Sequence, residues 1–246
     1  MDNPGELLGW EAVGRLDLPG GFCTGALIGR DLVLTAAHCV FDAKTGAPRP
    51  ARGIVFRAGY HRGSEITARR VLRWVVPERY EVAHLGKDAA SRAEAIASDV
   101  ALLRLEAPVS SAEADPFRVH EVPAGGTDVS VVSYGKGRSE VLSREPSCQM
   151  TRRYRGDILG FDCDVTFGSS GAPVFVRENG RLRILSVISS ITDSGEAYGS
   201  SIQAFVPELS ARLSREDARP KVTAGARRIT VGGGVRQDIG ARFVRP

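Results

Sequence analysis

Short apolar runs, broken by glycine, proline and charge, recur along most of this 246-residue chain. In the first half they fall at 12–16, 26–28, 32–34, 54–56, 66–76 and 100–105; in the second at 129–135, 172–176, 182–191 and 198–206. The run Val129-Ser130-Val131-Val132-Ser133-Tyr134-Gly135 alternates with a period near two and ends in glycine, which predicts a strand with one face buried. Two segments break the pattern. Residues 83–98 are alanine-rich and charged, which predicts a surface loop with a helical turn. Residues 107–124 hold Pro108, Pro116 and Pro123 among mixed charges and are expected to be a linker. The expected class is all-β with few helices, in two halves. Periodicity by itself allows a sandwich as well as a barrel.

Composition and charge change this picture at the two ends. The length suffices for one large core or two small ones, and 28 glycines suit many strands joined by tight turns. No apolar run approaches the roughly 18 residues of a membrane span. The opening Met1-Asp2-Asn3-Pro4-Gly5-Glu6 is acidic and polar, unlike a secretory leader. Either the chain is cytoplasmic or a leader has been removed. Residues 214–246 carry Arg215, Arg219, Lys221, Arg227, Arg228, Arg236, Arg242 and Arg245 against Glu216, Asp217 and Asp238, more than the whole net charge of +4. Two short strands, at 229–235 and 239–244, are expected in this basic extension. Its arginines are scattered and its aromatics few, so a solvated extension is favoured over an anchor to an anionic surface, and no specific nucleic-acid contact is expected.

Three short segments carry candidate chemistry. They are Leu34-Thr35-Ala36-Ala37-His38-Cys39, Ser98-Asp99-Val100-Ala101-Leu102-Leu103 and Gly168-Ser169-Ser170-Gly171-Ala172-Pro173. A serine hydroxyl is a poor nucleophile until a base takes its proton, and that base needs a carboxylate to fix its tautomer. Singly, each segment has an ordinary explanation: a core histidine, an aspartate opening a strand, a glycine–serine turn. His61, His84 and His120 have no comparable context and are expected at surface or loop positions.

Together, in the order His, Asp, Ser, the segments resemble the chymotrypsin/trypsin-like serine peptidases, with the secreted bacterial trypsin-like and glutamyl-endopeptidase-like members nearest. The resemblance runs from about Trp10 to about Leu213. It implies two six-stranded antiparallel β-barrels, at 10–106 and 125–213, with the site in the cleft between them. His38 then corresponds to the general base, Asp99 to the orienting acid and Ser170 to the nucleophile, while the backbone N–H groups of Gly168 and Ser170 correspond to the oxyanion hole. Cys23 and Cys39 stand at the spacing of the family's histidine-loop disulfide. Cys148 and Cys163 are a second candidate pair, and four reduced thiols are the alternative. Two local bridges would fit an oxidising compartment, hence a secreted or periplasmic protein. No paired C-x-x-C spacing suggests a metal site, and no cofactor is implied.

The implied activity is a serine endopeptidase acting on protein or peptide substrates through an acyl-enzyme. The alternatives are an esterase using the same triad and a non-catalytic or latent binding module that keeps the fold. Two departures from the family pattern stand out. Ser169 occupies the position where animal members carry an aspartate that pairs with a newly cut N-terminus, so activation by that ion pair is not expected. For specificity, Asp164 aligns with the acid at the base of the primary pocket in trypsin-type members, while Ser189, Ser190 and Ile191 align with its wall, Ile191 replacing a glycine. Ile188 stands where glutamate-specific members carry a histidine. These positions leave a basic preference and a small apolar preference both open.

Overall fold

The structure, a computed structural model, describes residues 4–120, 127–192 and 194–217. Six strands make the first half: β1 (Val13–Leu18), β2 (Gly21–Gly29), β3 (Leu32–Thr35), β4 (Val55–Ala58), β5 (Thr67–Val75) and β6 (Ala101–Leu105). They close into an antiparallel barrel in the order β1-β2-β3-β6-β5-β4, with β4 returning to β1. Closure brings glycines into contact with large side chains. Gly14 lies so close to the Phe56 ring that a Cβ there would stand 2.4 Å from it. Leu16, Leu27, Val33, Ile54, Phe56, Val71 and Leu103 fill the interior.

The second half opens with a two-residue strand, β7 (Arg118–Val119), followed by β8 (Asp128–Ser133), β9 (Ser143–Arg153), β10 (Ile158–Phe161), β11 (Pro173–Glu178), β12 (Arg181–Ile191) and β13 (Ala197–Ser201). β8 to β13 form the second six-stranded antiparallel barrel, in the order β11-β8-β9-β10-β13-β12, closed by β12 pairing with β11. β7 adds to the edge of β12 in parallel. Val129, Val131, Leu159, Phe161, Val174 and Ile188 fill this barrel. A third apolar cluster, including Leu34, Leu102, Tyr134, Phe175 and Val187, lies where the barrels meet. Burial there fixes the orientation of the barrels to each other, and so the geometry of any site between them.

Three helices depart from the predicted pattern. The segment read as a surface loop holds α2 (Ala89–Ala97), preceded by α1 (Glu78–Ala83). Asp88 caps α2, its carboxylate accepting from the Ser91 N–H at 2.9 Å and from the Ser91 hydroxyl at 2.6 Å. The run at 198–206 was expected to be a strand throughout. The strand ends at Ser201, and Phe205 instead begins α3 (Phe205–Asp217), whose Phe205, Leu209 and Leu213 recur every fourth residue and face the inter-barrel cluster. Pro207 falls in the first turn, where its missing N–H costs nothing. α3 ends against the first barrel, Asp217 pairing with Arg73 and with Arg104 at 3.3 Å. The remaining basic extension, with its two expected strands, lies outside the described residues, as do residues 121–126 of the expected linker.

β9 and β10 were not anticipated from the sequence. β9 buries only Cys148 and Met150, so its apolar signal is too sparse to detect. Both cysteine pairs are disulfides, Cys23–Cys39 and Cys148–Cys163, each with a sequence separation near fifteen (16 and 15). Closing loops of that length restricts the unfolded chain and stabilises the fold by about 3 kcal/mol each.

Candidate active site

β3 ends at Thr35, and the chain turns at once into a single 3-10 turn, Ala37–Val40, which carries His38. The Cys23–Cys39 disulfide ties this turn to β2. Asp99 enters from the other side, between the end of α2 and the start of β6. Its carboxylate is buried, with 4% of the side chain exposed, and three donors hold it. Oδ1 accepts from the His38 backbone N–H at 2.8 Å, and Oδ2 accepts from His38 Nδ1–H at 2.7 Å and from the Ser189 hydroxyl at 2.5 Å. A carboxylate only accepts, so Nδ1 carries the proton and the neutral ring keeps its lone pair on Nε2, which lies 3.8 Å from the Cys39 sulfur. The His38 side chain is 37% exposed, open to a substrate on one side.

The Ser189 bond changes its expected place. Predicted to line a specificity pocket, Ser189 turns its hydroxyl onto Asp99 and carries the hydrogen-bonded chain from the first barrel to the second. Asp164 is exposed to solvent, so its carboxylate does not lie at the base of a buried pocket. Its exposure follows from its neighbours: in the loop after β10, Cys163, bonded to Cys148, and Val165 face the core on either side of it. Ile191 is 43% exposed and Phe167, just before Gly168, is 76% exposed. Phe167 was not singled out from the sequence, where a lone aromatic in a loop carries no signal.

Ser170 sits in a tight loop between Val165 and β11, and the hydrogen bonds of that loop define a site. The carbonyls of Phe167, Gly168, Ser169 and Ser170 all accept bonds, from Lys136 N–H (2.6 Å), the Thr24 hydroxyl (2.9 Å), Ala172 N–H (2.9 Å) and Thr24 N–H (2.9 Å) respectively. The N–H groups of Ser169 and Gly171 donate to the carbonyls of Thr166 and Ile188. Among the described residues, the N–H groups of Phe167, Gly168 and Ser170 in this stretch have no protein acceptor. Half-buried backbone donors such as those of Gly168 and Ser170 are seldom left so. Gly168 can supply one because its φ is +92°, a conformation other residues rarely adopt, and because a Cβ would meet the Phe22 ring at 2.3 Å. Gly171, at φ +75°, approaches β2 and β3 so closely that a Cβ would stand 2.0 Å from the Thr35 hydroxyl.

Ser169 is fully buried. Its hydroxyl pairs with that of Ser133 at 3.0 Å and accepts from the Thr166 N–H at 3.4 Å. Neutral hydroxyls thus hold the loop from below. The Ser170 Oγ makes no hydrogen bond to His38 among the described residues, although its neighbour Gly171 lies against Thr35 and the Ala36 N–H, two residues before His38. Such bonds often tighten only with substrate in place.

A pocket of about 280 Å³ opens beside His38, walled by Tyr80, Ala83 and His84 from α1 and its end and by Ala95 and Ile96 from α2. Burial pushes the Tyr80 hydroxyl well above its usual range, with the charge of Asp99 adding to the effect, so Tyr80 stays neutral. His84 stacks on Tyr80, with ring centroids 5.2 Å apart, and packs on Phe41 at 4.4 Å. It stands at a loop position, in the turn after α1, and lines this pocket. His120 likewise follows β7 at a loop position, but is buried, 3.4 Å from Glu178. The two groups of Cys, His and Asp atoms close enough to share a metal ion each contain both sulfurs of a disulfide, which offer no thiolate.

Residues 23–183 match the family model of the trypsin-like peptidase domain. The chain belongs to the trypsin-like peptidase family and is a serine-type endopeptidase. Among solved structures it is similar to a Glu endopeptidase (TM-score 0.68, 19% identity, covering 84% of this chain and 91% of that one). It is also similar to the protease Anisep from Arthrobacter nicotinovorans (TM-score 0.63, 18% identity, 82% and 96% covered). An inactivated protease paralogue from the scabies mite has the same fold (TM-score 0.66, 15% identity, 84% and 93% covered). No curated protein matches the sequence. Since an inactivated paralogue shares this architecture, the fold cannot assign the working residues, and the trypsin-like chain must be read at its site.

Proposed function

We propose that this peptidase cleaves peptide bonds with His38, Asp99 and Ser170 through an acyl-enzyme. The observation that carries the reading is the pair of unpartnered N–H groups on Gly168 and Ser170, on a loop whose Gly171 packs against Thr35 and Ala36 just before His38 of the Asp99–His38 pair. Ser170 attacks the substrate carbonyl and His38 Nε2 takes the hydroxyl proton. Negative charge develops on the carbonyl oxygen, and the two N–H groups receive it. Loss of one such donor typically costs roughly 2.7–4 kcal/mol of transition-state stabilisation. Collapse of the tetrahedral intermediate passes the proton from His38 to the leaving amine. Water, deprotonated by His38, then hydrolyses the ester on Ser170. Asp99 holds the imidazole and stabilises its charged form, and Ser189 supports Asp99.

For specificity, the small apolar preference is better supported than the basic one. Asp164 is exposed, and the segment after it, together with the end of β12, contributes Val165 and Ile188, which pack with Ala197 in one apolar cluster. No buried anion is available there for an arginine or lysine. A peptide library should therefore show alanine or valine favoured over arginine before the scissile bond; a tenfold or greater preference for arginine would count against this assignment. The disulfides and the peptidase fold support a secreted or periplasmic protein, and no helix among the described residues is long and apolar enough to cross a membrane.

The assignment of the nucleophile is tested with a fluorophosphonate followed by intact and peptide mass spectrometry. A stoichiometric adduct on Ser170 is expected. Folded, disulfide-intact protein that gives no adduct would remove Ser170 from this role and bring forward the latent or non-catalytic alternative.

A further inference from the structure

We propose that Thr24, on the barrel opposite the nucleophile loop, is a positioning residue whose hydroxyl holds the Gly168–Ser169 peptide, the link between the two donor-bearing peptides, and so keeps the two-donor anion site formed. The proposal rests on the assignment of Ser170 and the Gly168 and Ser170 N–H groups made above. Thr24 is fully buried on β2, and all its polar atoms are engaged. Its hydroxyl donates to the Gly168 carbonyl at 2.9 Å and accepts from the Tyr134 N–H at 3.0 Å; its own N–H donates to the Ser170 carbonyl at 2.9 Å; its carbonyl accepts from the Thr35 hydroxyl at 2.8 Å. The direction of each bond is forced. A carbonyl can only accept, so the single hydroxyl proton goes to Gly168 and a lone pair remains for Tyr134.

The site needs this restraint because Gly168 is the residue least able to hold itself. With no Cβ and a φ of +92°, its flanking peptides can rotate at little cost. Lys136 fixes the peptide before Gly168, through the Phe167 carbonyl. The peptide after it is fixed by Thr24 through the Gly168 carbonyl and by the Ser169 N–H bond to Thr166. Thr24 therefore acts on the loop at two carbonyls, one on each side of Ser169. Its neighbour Cys23 is bonded to Cys39, which follows His38. Two consecutive residues of β2 thus set the base-bearing turn and the nucleophile loop relative to each other. Valine has the shape of threonine without the hydroxyl, and would leave a buried carbonyl and a buried N–H unpaired.

Thr24→Val and Thr24→Ser are compared for kcat, KM and affinity for a peptide boronic acid, whose tetrahedral adduct places an oxygen in the anion site. In Thr24→Val, kcat should fall about ten- to a hundredfold, somewhat less than loss of a whole donor, with KM within about twofold of wild type. Boronate affinity should fall in parallel, and Thr24→Ser should stay within about threefold of wild type. A merely structural role would lower the melting temperature without linking kcat to boronate affinity. The proposal is overturned if folded Thr24→Val keeps wild-type kcat, if boronate affinity does not follow kcat, or if Thr24→Ser is equally impaired. Thr24→Ala, which leaves room for a water, is made alongside; if neither it nor Thr24→Val folds, the hydroxyl is a fold determinant and the proposal also fails. Wild-type protein that takes no fluorophosphonate on Ser170 would refute the nucleophile assignment instead, a result separate from any of these.

Discussion

Ser170→Ala should lower kcat for peptide substrates by about 10⁶-fold, leaving only what substrate binding and the anion site contribute to a water-driven reaction. The same change should barely affect folding. The bonds that anchor Ser170 to the rest of the molecule run through its backbone, from Thr24 N–H to its carbonyl, and its hydroxyl makes none among the described residues. A stability change within about 0.5 kcal/mol is expected, as for a substitution that neither opens a cavity nor leaves a buried group unpaired. Active-site titration and thermal melting measure the two quantities independently. Appreciable turnover by the variant, at a level that co-purifies with it and survives repeated purification, would move the nucleophile elsewhere. A large loss of stability would show that the hydroxyl holds the loop rather than attacking the substrate. Ser169 is the residue expected to behave in that second way, since its buried hydroxyl pairs with Ser133 and meets no substrate-facing group.

Chemistry was easier to read from the chain than architecture. His38 and Asp99 stand in short segments that resemble a known family, and the structure joins their side chains at 2.7 Å, sixty-one positions apart in sequence. Gly168 and Gly171 are legible because left-handed backbone and close approach to Phe22 and Thr35 tolerate no side chain. The two halves and most strands follow from short apolar runs. β9 does not, because a strand whose outer face meets solvent carries little apolar signal. α3 was hidden for the opposite reason: its first residues, Phe205 and Val206, continue the apolar run of β13, and only the recurrence through Leu209 and Leu213 marks the helix.

Residues that act on other residues were the ones out of reach. Ser189 aligns with a pocket wall in sequence, and its bond to Asp99 is visible only once β12 brings it within 2.5 Å, ninety positions away in sequence. Thr24 is one more β-branched residue on a strand until the other barrel supplies the Gly168 carbonyl. Asp164 is a different case. Counted back from Ser170 it matches a specificity position, but in the loop after β10 its carboxylate is exposed while Cys163 and Val165 on either side are buried, a local arrangement that residue counting cannot see.

Asp99→Asn should lower kcat by about 10⁴-fold while leaving the site nearly superimposable. The reason lies in the donors around the carboxylate. Oδ1 faces the His38 backbone N–H, which cannot change its role, so the amide oxygen of an asparagine must take that position. The amide NH₂ then faces Nδ1. Ser189 can rotate its hydroxyl to accept one of those protons, but the imidazole can adapt only by moving its own proton to Nε2. That tautomer offers Ser170 no lone pair. The variant should also alter the pH profile, with a sign that can be worked out. Burial pushes the His38 pKa down, yet the charge of Asp99 and its hydrogen bond together outweigh burial and hold it above the ordinary 6.5. Catalysis needs the neutral ring, so the acid limb of kcat/KM in the wild-type enzyme should have its midpoint above 6.5. The stability that the pair contributes runs the other way: it is fully present below 6.5 and is lost as pH rises through the raised value. The enzyme is thus most active where this interaction stabilises it least. Asparagine removes the charge and leaves burial in place, so the limb of the small residual activity should move to lower pH. A residual rate whose limb stays at the wild-type position would mean that the titrating group is not His38, or that Asp99 does not govern it.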